Sequence, residues 1–173
     1  MADRAERIPG RRQLQTAGSM VLLLLLLLVC LCGCGTDDID ISGCADETIT
    51  ISGITDEEVT LTVADLKAMD CVTKTCESTS DKIGKVRATG PTLDTVLREF
   101  GMSQKELSRV RICGKDEYDV KLDSDVLAEE EIILAFGVGG EPLPAEDAPV
   151  RIIIQGSDSA WWVRMVERIE LED

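Results

Sequence analysis

Seven cysteines and no histidine bound the chemistry open to this 173-residue chain. Without an imidazole there is no Cys-His or Ser-His dyad and no histidine ligand for a metal. What remains is sulfur, as a soft metal ligand, a nucleophile or half of a disulfide. Cys30, Cys32 and Cys34 cluster near the N-terminus, while Cys44, Cys71, Cys76 and Cys113 are spread through the body. Outside the cytoplasm an even set of four suggests disulfides, in one of three pairings. Cys71 and Cys76 flank one expected strand an odd number of residues apart. An extended segment would hold them about 17 Å apart on opposite faces, so a bridge between them needs a bend. A cysteine paired in a disulfide has no thiolate to offer a metal, and no Cys-x-x-Cys supports a thiol-disulfide switch.

The N-terminal cysteines sit in a targeting pattern. Basic residues precede an apolar run from Val21 to Leu31, and small residues follow it, as in a secretory signal. The run falls short of the roughly 20 residues of a membrane span. Leu31-Cys32-Gly33-Cys34 resembles a lipobox, with Cys34 as the residue that receives a diacylglyceryl group and becomes the new N-terminus. Cys30 and Cys32 fit less well, since Val29 and Leu31 are larger than Gly33 at the position before the cut. An uncleaved anchor is the alternative. Either way the body is expected on the extracytoplasmic face of a bacterial membrane, with the membrane itself as a partner through lipid. Arg11-Arg12 is a weak twin-arginine signal, because Gln15 fills a place where a hydrophobic residue is expected. Export of an unfolded chain is the expected route.

Charge narrows the partners. Of 18 basic and 33 acidic residues, four and two precede Val21, so the body carries 14 and 31, a net of −17. Such a body has no general attraction for nucleic acid or for an anionic membrane surface.

The elements that must position the sulfurs follow from periodicity. Residues 1–33 are read as signal peptide, 34–45 as a polar tether and 46–173 as the folded domain. Ile49/Ile51 and Val59/Leu61/Val63 alternate as strands. Thr62 and Asp65 resemble a capping box for a short helix through Met69. Val72–Cys76 is a strand and 77–90 a polar loop. Leu93, Val96, Leu97 and Phe100 have helical spacing, with Gly101 as a stop. Strands are expected around Val110/Ile112, Tyr118–Leu122, Ile132–Phe136, Val150–Ile154 and from Trp161 to Leu171. Val138-Gly139-Gly140 reads as a hairpin turn, the 129–131 glutamates as a solvated face, and Trp161/Trp162 as one surface and one core aromatic. The expected class is α+β, mainly β.

Several segments, in order, resemble the molybdopterin-binding domain of the sulfite oxidase family. Leu61-Thr62-Val63-Ala64-Asp65-Leu66-Lys67 is similar to its opening strand and helix. Thr73-Lys74-Thr75-Cys76 sits where that family has a strand ending in its molybdenum-ligating cysteine. Gly90-Pro91-Thr92-Leu93 with Val96 and Leu97 resembles Trp-x-Gly-x-x-Leu-x-x-Leu-Leu, with Ala88 in place of the Trp. Gly114 to Leu122 resembles an Asp-Gly-Tyr strand pair. Leu134-Ala135-Phe136, Gly140-Glu141-Pro142-Leu143-Pro144, Ala148-Pro149-Val150-Arg151, Gly156 and Trp162-Val163-Arg164 carry the most specific likeness. It spans about residues 57–172.

The resemblance implies a mixed-sheet domain of that type and a molybdenum-molybdopterin cofactor. Cys76 would be the metal ligand and Arg151 a cofactor contact, with Lys82, Lys85 and Arg87 as phosphate contacts by nearness in sequence. Departures crowd the same places. The Glu146-Asp147 region replaces the family's His, Gln155 a Pro, Trp161 a Lys, and Glu77-Ser78-Thr79-Ser80 an Asn/Arg-rich turn. Losing cations that face an anionic ligand removes charge-assisted hydrogen bonds worth roughly 1.5–3 kcal/mol each. A chain exported unfolded would also arrive without a cofactor that is inserted in the cytoplasm. Two functions stay open: a molybdopterin-dependent oxidoreductase acting on a small substrate, or a cofactor-free binding or structural module with a small-molecule or protein partner.

Overall fold

Alternating apolar residues build most of the strands in the computed structural model, which describes residues 36–55 and 57–172. The signal segment and Cys34 lie outside those residues. Strands β1 (Thr48–Ser52) and β2 (Val59–Thr62) form an antiparallel pair, and helix α1 (Val63–Ala68) follows at once. The Thr62 hydroxyl accepts from the Asp65 N–H (3.0 Å) while Asp65 accepts from the Thr62 N–H (2.8 Å), completing the capping box. These bonds hold the Asp65 carboxyl below the usual carboxylate range.

Next come β3 (Cys71–Glu77), β4 (Lys85–Pro91), helix α2 (Leu93–Arg98), β5 (Arg109–Gly114), β6 (Asp119–Asp123) and helix α3 (Ser124–Glu129). The chain ends with β7 (Ile132–Ala135), β8 (Gly137–Val138), β9 (Glu141–Pro142), β10 (Arg151–Ile154) and β11 (Val166–Glu172). A five-stranded mixed sheet runs β2-β1-β11-β5-β6, parallel only between β1 and β11. An antiparallel sheet runs β3-β4-β8-β9, and β10 pairs with β7. Every residue of β7 and Ile152, Ile153 and Ile154 of β10 are buried, so this pair forms the middle of the core. The class is α+β, mainly β.

Three local expectations change. The loop expected over 77–90 contains β4, whose polar residues and Gly90-Pro91 hide a strand. Seven consecutive residues of it pair with β3, and that ladder overrides the composition. Gly90 is required there, since a Cβ would meet the Leu134 carbonyl oxygen at 2.1 Å, where β4 crosses close to β7. The extended segment expected from Trp161 begins only at Val166, after a 3-10 turn over Ser159–Trp161.

The third change concerns the tether. Residues 36–45 do not hang free. Ile39 and Ile41 are buried in the core, and the Asp37 N–H donates to Thr73 Oγ1 (2.8 Å). The Asp37 carboxylate pairs with Arg87 (2.6 Å), and Lys67 bonds to Asp38 (2.8 Å) and to the Ile39 carbonyl (2.7 Å). Two isoleucines at i, i+2 decide the outcome, because their burial outweighs the acidic residues around them. The hairpin turn at Gly139-Gly140 is present between β8 and β9, with both glycines at positive φ. The two tryptophans divide into one core and one surface aromatic, and the structure assigns the core place to Trp162 and the surface to Trp161. Among the described residues no helix is long and apolar enough to cross a membrane.

Candidate functional site

Cys76 lies near the end of β3, opposite Val86 of β4, and its side chain is 0% exposed within the apolar cluster. Burial pushes its thiol up from the ordinary value; the Lys74 charge opposes that shift and Glu131 adds to it. A metal ligand must be a thiolate, which apolar surroundings disfavour. Strand alternation also separates the candidate cations from it. Val86 shares the face of Cys76, whereas Lys85 and Arg87, opposite Glu77 and Thr75, point to the other face. Lys85 pairs with Glu77 (3.5 Å), Arg87 with Asp37 (2.6 Å), and Lys82 is exposed on the β3–β4 turn. All three cations thus belong to the hairpin, and Lys85 and Arg87 point away from the sulfur.

The space beyond Cys76 is laced shut. The Glu77 N–H donates to Gln155 Oε1 (3.0 Å), and the Gly156 N–H donates to the Glu77 carbonyl (3.0 Å). The Thr79 N–H (3.0 Å) and the Ser78 hydroxyl (3.2 Å) both donate to the Ser157 carbonyl. Gln155 therefore does something the family's proline at that place has no side-chain oxygen to do. It ties the turn after β10 to the end of β3.

Arg151 begins β10 and is nearly covered. Its guanidinium donates to Asp147 (2.8 Å) and stands 6.0 Å from the Trp162 ring centroid. Arg164 lies 3.7 Å from the other Asp147 oxygen. Both arginines thus face one buried carboxylate, which neutralises the charge a phosphate or pterin would need. Among the described residues, Arg151 Nε alone is a buried side-chain polar atom without a hydrogen-bond partner. Trp162 closes the group, its indole N–H shared between the Ile154 carbonyl and Ser157 Oγ (3.0 Å each).

These residues do not fit a molybdopterin. The sulfur is covered, its neighbouring backbone is bonded across, Arg151 is held by a carboxylate, and Lys85 and Arg87 face elsewhere. Clefts open at other places. One of about 390 Å³ lies by Asp94, Arg98, Gln104 and Glu130, and one of about 210 Å³ by Tyr118, Ser159, Trp162 and Arg164. Neither is lined by Cys76. No cluster of three or more Cys, Asp or Glu able to hold a metal occurs among the described residues.

Sequence reasoning noted the replacements at 147 and 155 as losses. It did not see that the new residues act as partners. The signal for Asp147 was its spacing of four from Arg151; for Gln155 there was none, because its partner is 78 residues away. Cys44, Cys71, Cys76 and Cys113 are all free thiols in this structure, so none of the three expected pairings is formed.

Comparison with known proteins agrees with the architecture. The family model described as "oxidoreductase molybdopterin binding domain" matches residues 38–173. Among solved structures, the sulfane dehydrogenase SoxCD from Paracoccus pantotrophus superposes with a TM-score of 0.61 at 20% identity. That match covers 75% of this chain but only 39% of the dehydrogenase chain, and at such identity it bears on fold alone. No curated protein matches the chain.

Proposed function

Because the chain belongs to the oxidoreductase molybdopterin-binding domain family, we propose that it is a lipid-anchored, extracytoplasmic member that works without the cofactor, as a binding module at the cell surface. The observation that carries this reading is the closure around Cys76: a neutral, covered thiol whose flanking backbone is bonded to residues 155–157. The Asp147–Arg151 pair supports it from the other side, since a cation already matched by a buried carboxylate has little to offer a phosphate. The lipobox at Cys34 and the expected export of an unfolded chain support the location and the lack of cofactor together.

Two observations favour the second reading, a molybdopterin-dependent oxidoreductase. Cys76 keeps the strand position that resembles the family's metal ligand, and Arg151 Nε is an unspent buried donor. The two readings part on molybdenum content. Protein purified from a host that makes the cofactor is expected to hold far less than one molybdenum per chain, with no change in Cys76→Ser. Near-stoichiometric metal that disappears in Cys76→Ser would overturn the cofactor-free reading.

A further inference from the structure

Helix α2 leaves one residue of its apolar face uncovered. Leu93, Val96 and Leu97 are fully buried, whereas Phe100, the next residue at that spacing, is 36% exposed. Its backbone is not a frayed end. The Phe100 N–H donates to the Leu97 carbonyl (3.0 Å), the Met102 N–H donates to the same oxygen (3.1 Å), and Gly101 turns the chain at positive φ.

Phe100 borders a groove of about 430 Å³ that is also lined by Leu61 of β2, Asp65 and Ala68 of α1, Met69 and Glu99. Four of these six are apolar, two are acidic, and none is a cation. Both acids have capacity to spare. Asp65 uses Oδ2 for the α1 cap, and its Oδ1 accepts no hydrogen bond among the described residues. The Glu99 carboxylate enters no hydrogen bond or ion pair there. The cations nearest in sequence are engaged elsewhere, Lys67 with Asp38 and Arg98 with Asp94.

An apolar surface beside two unpaired carboxylates is complementary to an apolar side chain carried next to cations. The Phe100 ring adds to this, since its face attracts a cation, and Met69 can repack around different apolar shapes. Asp65, Ala68, Glu99 and Phe100 are all exposed. The groove is therefore open, and it suits a chain lying across it better than a small molecule that needs enclosure.

Resting on the binding-module reading above, we propose that this groove docks a basic segment of a partner protein. An apolar side chain of the segment packs on Met69 and Phe100, and flanking Lys or Arg residues pair with Asp65 and Glu99.

The test titrates full-length protein, labelled with ¹³C at its methionine methyls and held in non-ionic detergent, with a short peptide carrying one leucine between pairs of lysines. The Met69 signal is expected to shift saturably while that of Met165 stays in place. Affinity should fall at least about tenfold in Glu99→Lys and in Phe100→Ser, both changes at exposed positions. It should fall far less in Glu167→Lys, which makes the same charge change at an exposed site on β11. Peptides with glutamate for lysine, or glycine for leucine, should leave Met69 unshifted. Equal losses in Glu99→Lys and Glu167→Lys, or none in Phe100→Ser, mean that the acidic body attracts the peptide at large, and overturn the groove. No Met69 shift in protein free of molybdenum also overturns it, and leaves the cofactor-free reading standing. A dimer that Phe100→Ser dissociates, with no bound peptide, gives the groove to a second copy of the chain and overturns the partner segment. Stoichiometric molybdenum in a sample that still binds the peptide at Met69 overturns the cofactor-free reading alone.

Discussion

Two groups of charges in this molecule are built in opposite ways. On the outward face of the five-stranded sheet, Arg109 and Arg111 of β5 reach Asp123 and Glu172, and Asp119 and Glu170, on the neighbouring strands. All of these groups are partly in water. Cys113 shares that face, half-buried and opposite Arg168 of β11. At the start of β10, Asp147 and Arg151 are nearly covered, beneath Trp162, and Cys76 lies wholly in the core. The first group solubilises a sheet face and can rearrange at little cost. The second has taken charge and sulfur into the interior, where each group depends on a specific partner. On the cofactor-free reading proposed above, the place that resembles the family's cofactor pocket serves the structure instead.

The thiols give the largest contrast. Labelling of Cys76 needs local opening, and an opening cost of about 3 kcal/mol slows it roughly 100-fold. A small maleimide, followed by peptide mass spectrometry under native conditions, should modify Cys113 at least about 100-fold faster than Cys76. Comparable rates would mean that the end of β3 is open to solvent, and the contrast would collapse.

The buried pair comes next. Asp147→Ala leaves Arg151 charged and covered, which is expected to cost about 3 kcal/mol of unfolding free energy in urea titration. Asp147→Asn keeps the shape and a hydrogen-bond acceptor and should cost less. A loss for Asp147→Ala no larger than that of an exposed pair would place Arg151 with the solvated group.

The smallest effect is on the outer sheet, and pH reads it. The hydrogen bond from Arg111 lowers the Asp119 pKa, so its ionised form is favoured in the folded state. Its contribution is therefore fully present above the unfolded value of about 3.9 and fades as pH falls through the lower folded value. The stability difference between wild type and Asp119→Asn should be small at neutral pH, shrink with added salt and vanish in acid. A difference that grows on acidification would contradict the sign of this shift.

Much of the frame was legible because it is local. The Ile49/Ile51 alternation, the Thr62/Asp65 cap, the helical spacing of Leu93, Val96 and Leu97, and the Gly139-Gly140 turn each act within a few residues. β4 was not legible, for its evidence lies in the ladder to β3 rather than in its own polar residues. The packing of residues 36–45 was missed for a related reason: an acidic composition says tether unless one knows that a core pocket awaits Ile39.

The sequence by itself determined the fold class, the absence of any histidine chemistry and the identity of the one thiol placed to resemble a metal ligand. Only the tertiary structure decided what that thiol faces. Gln155 and Asp147 show why: both act on partners brought near by strand pairing, and hydrogen bonds and ion pairs fall off within a few ångströms. A replacement in the sequence says what has been lost. Whether the newcomer fills the vacated space depends on which atoms the folded chain sets beside it.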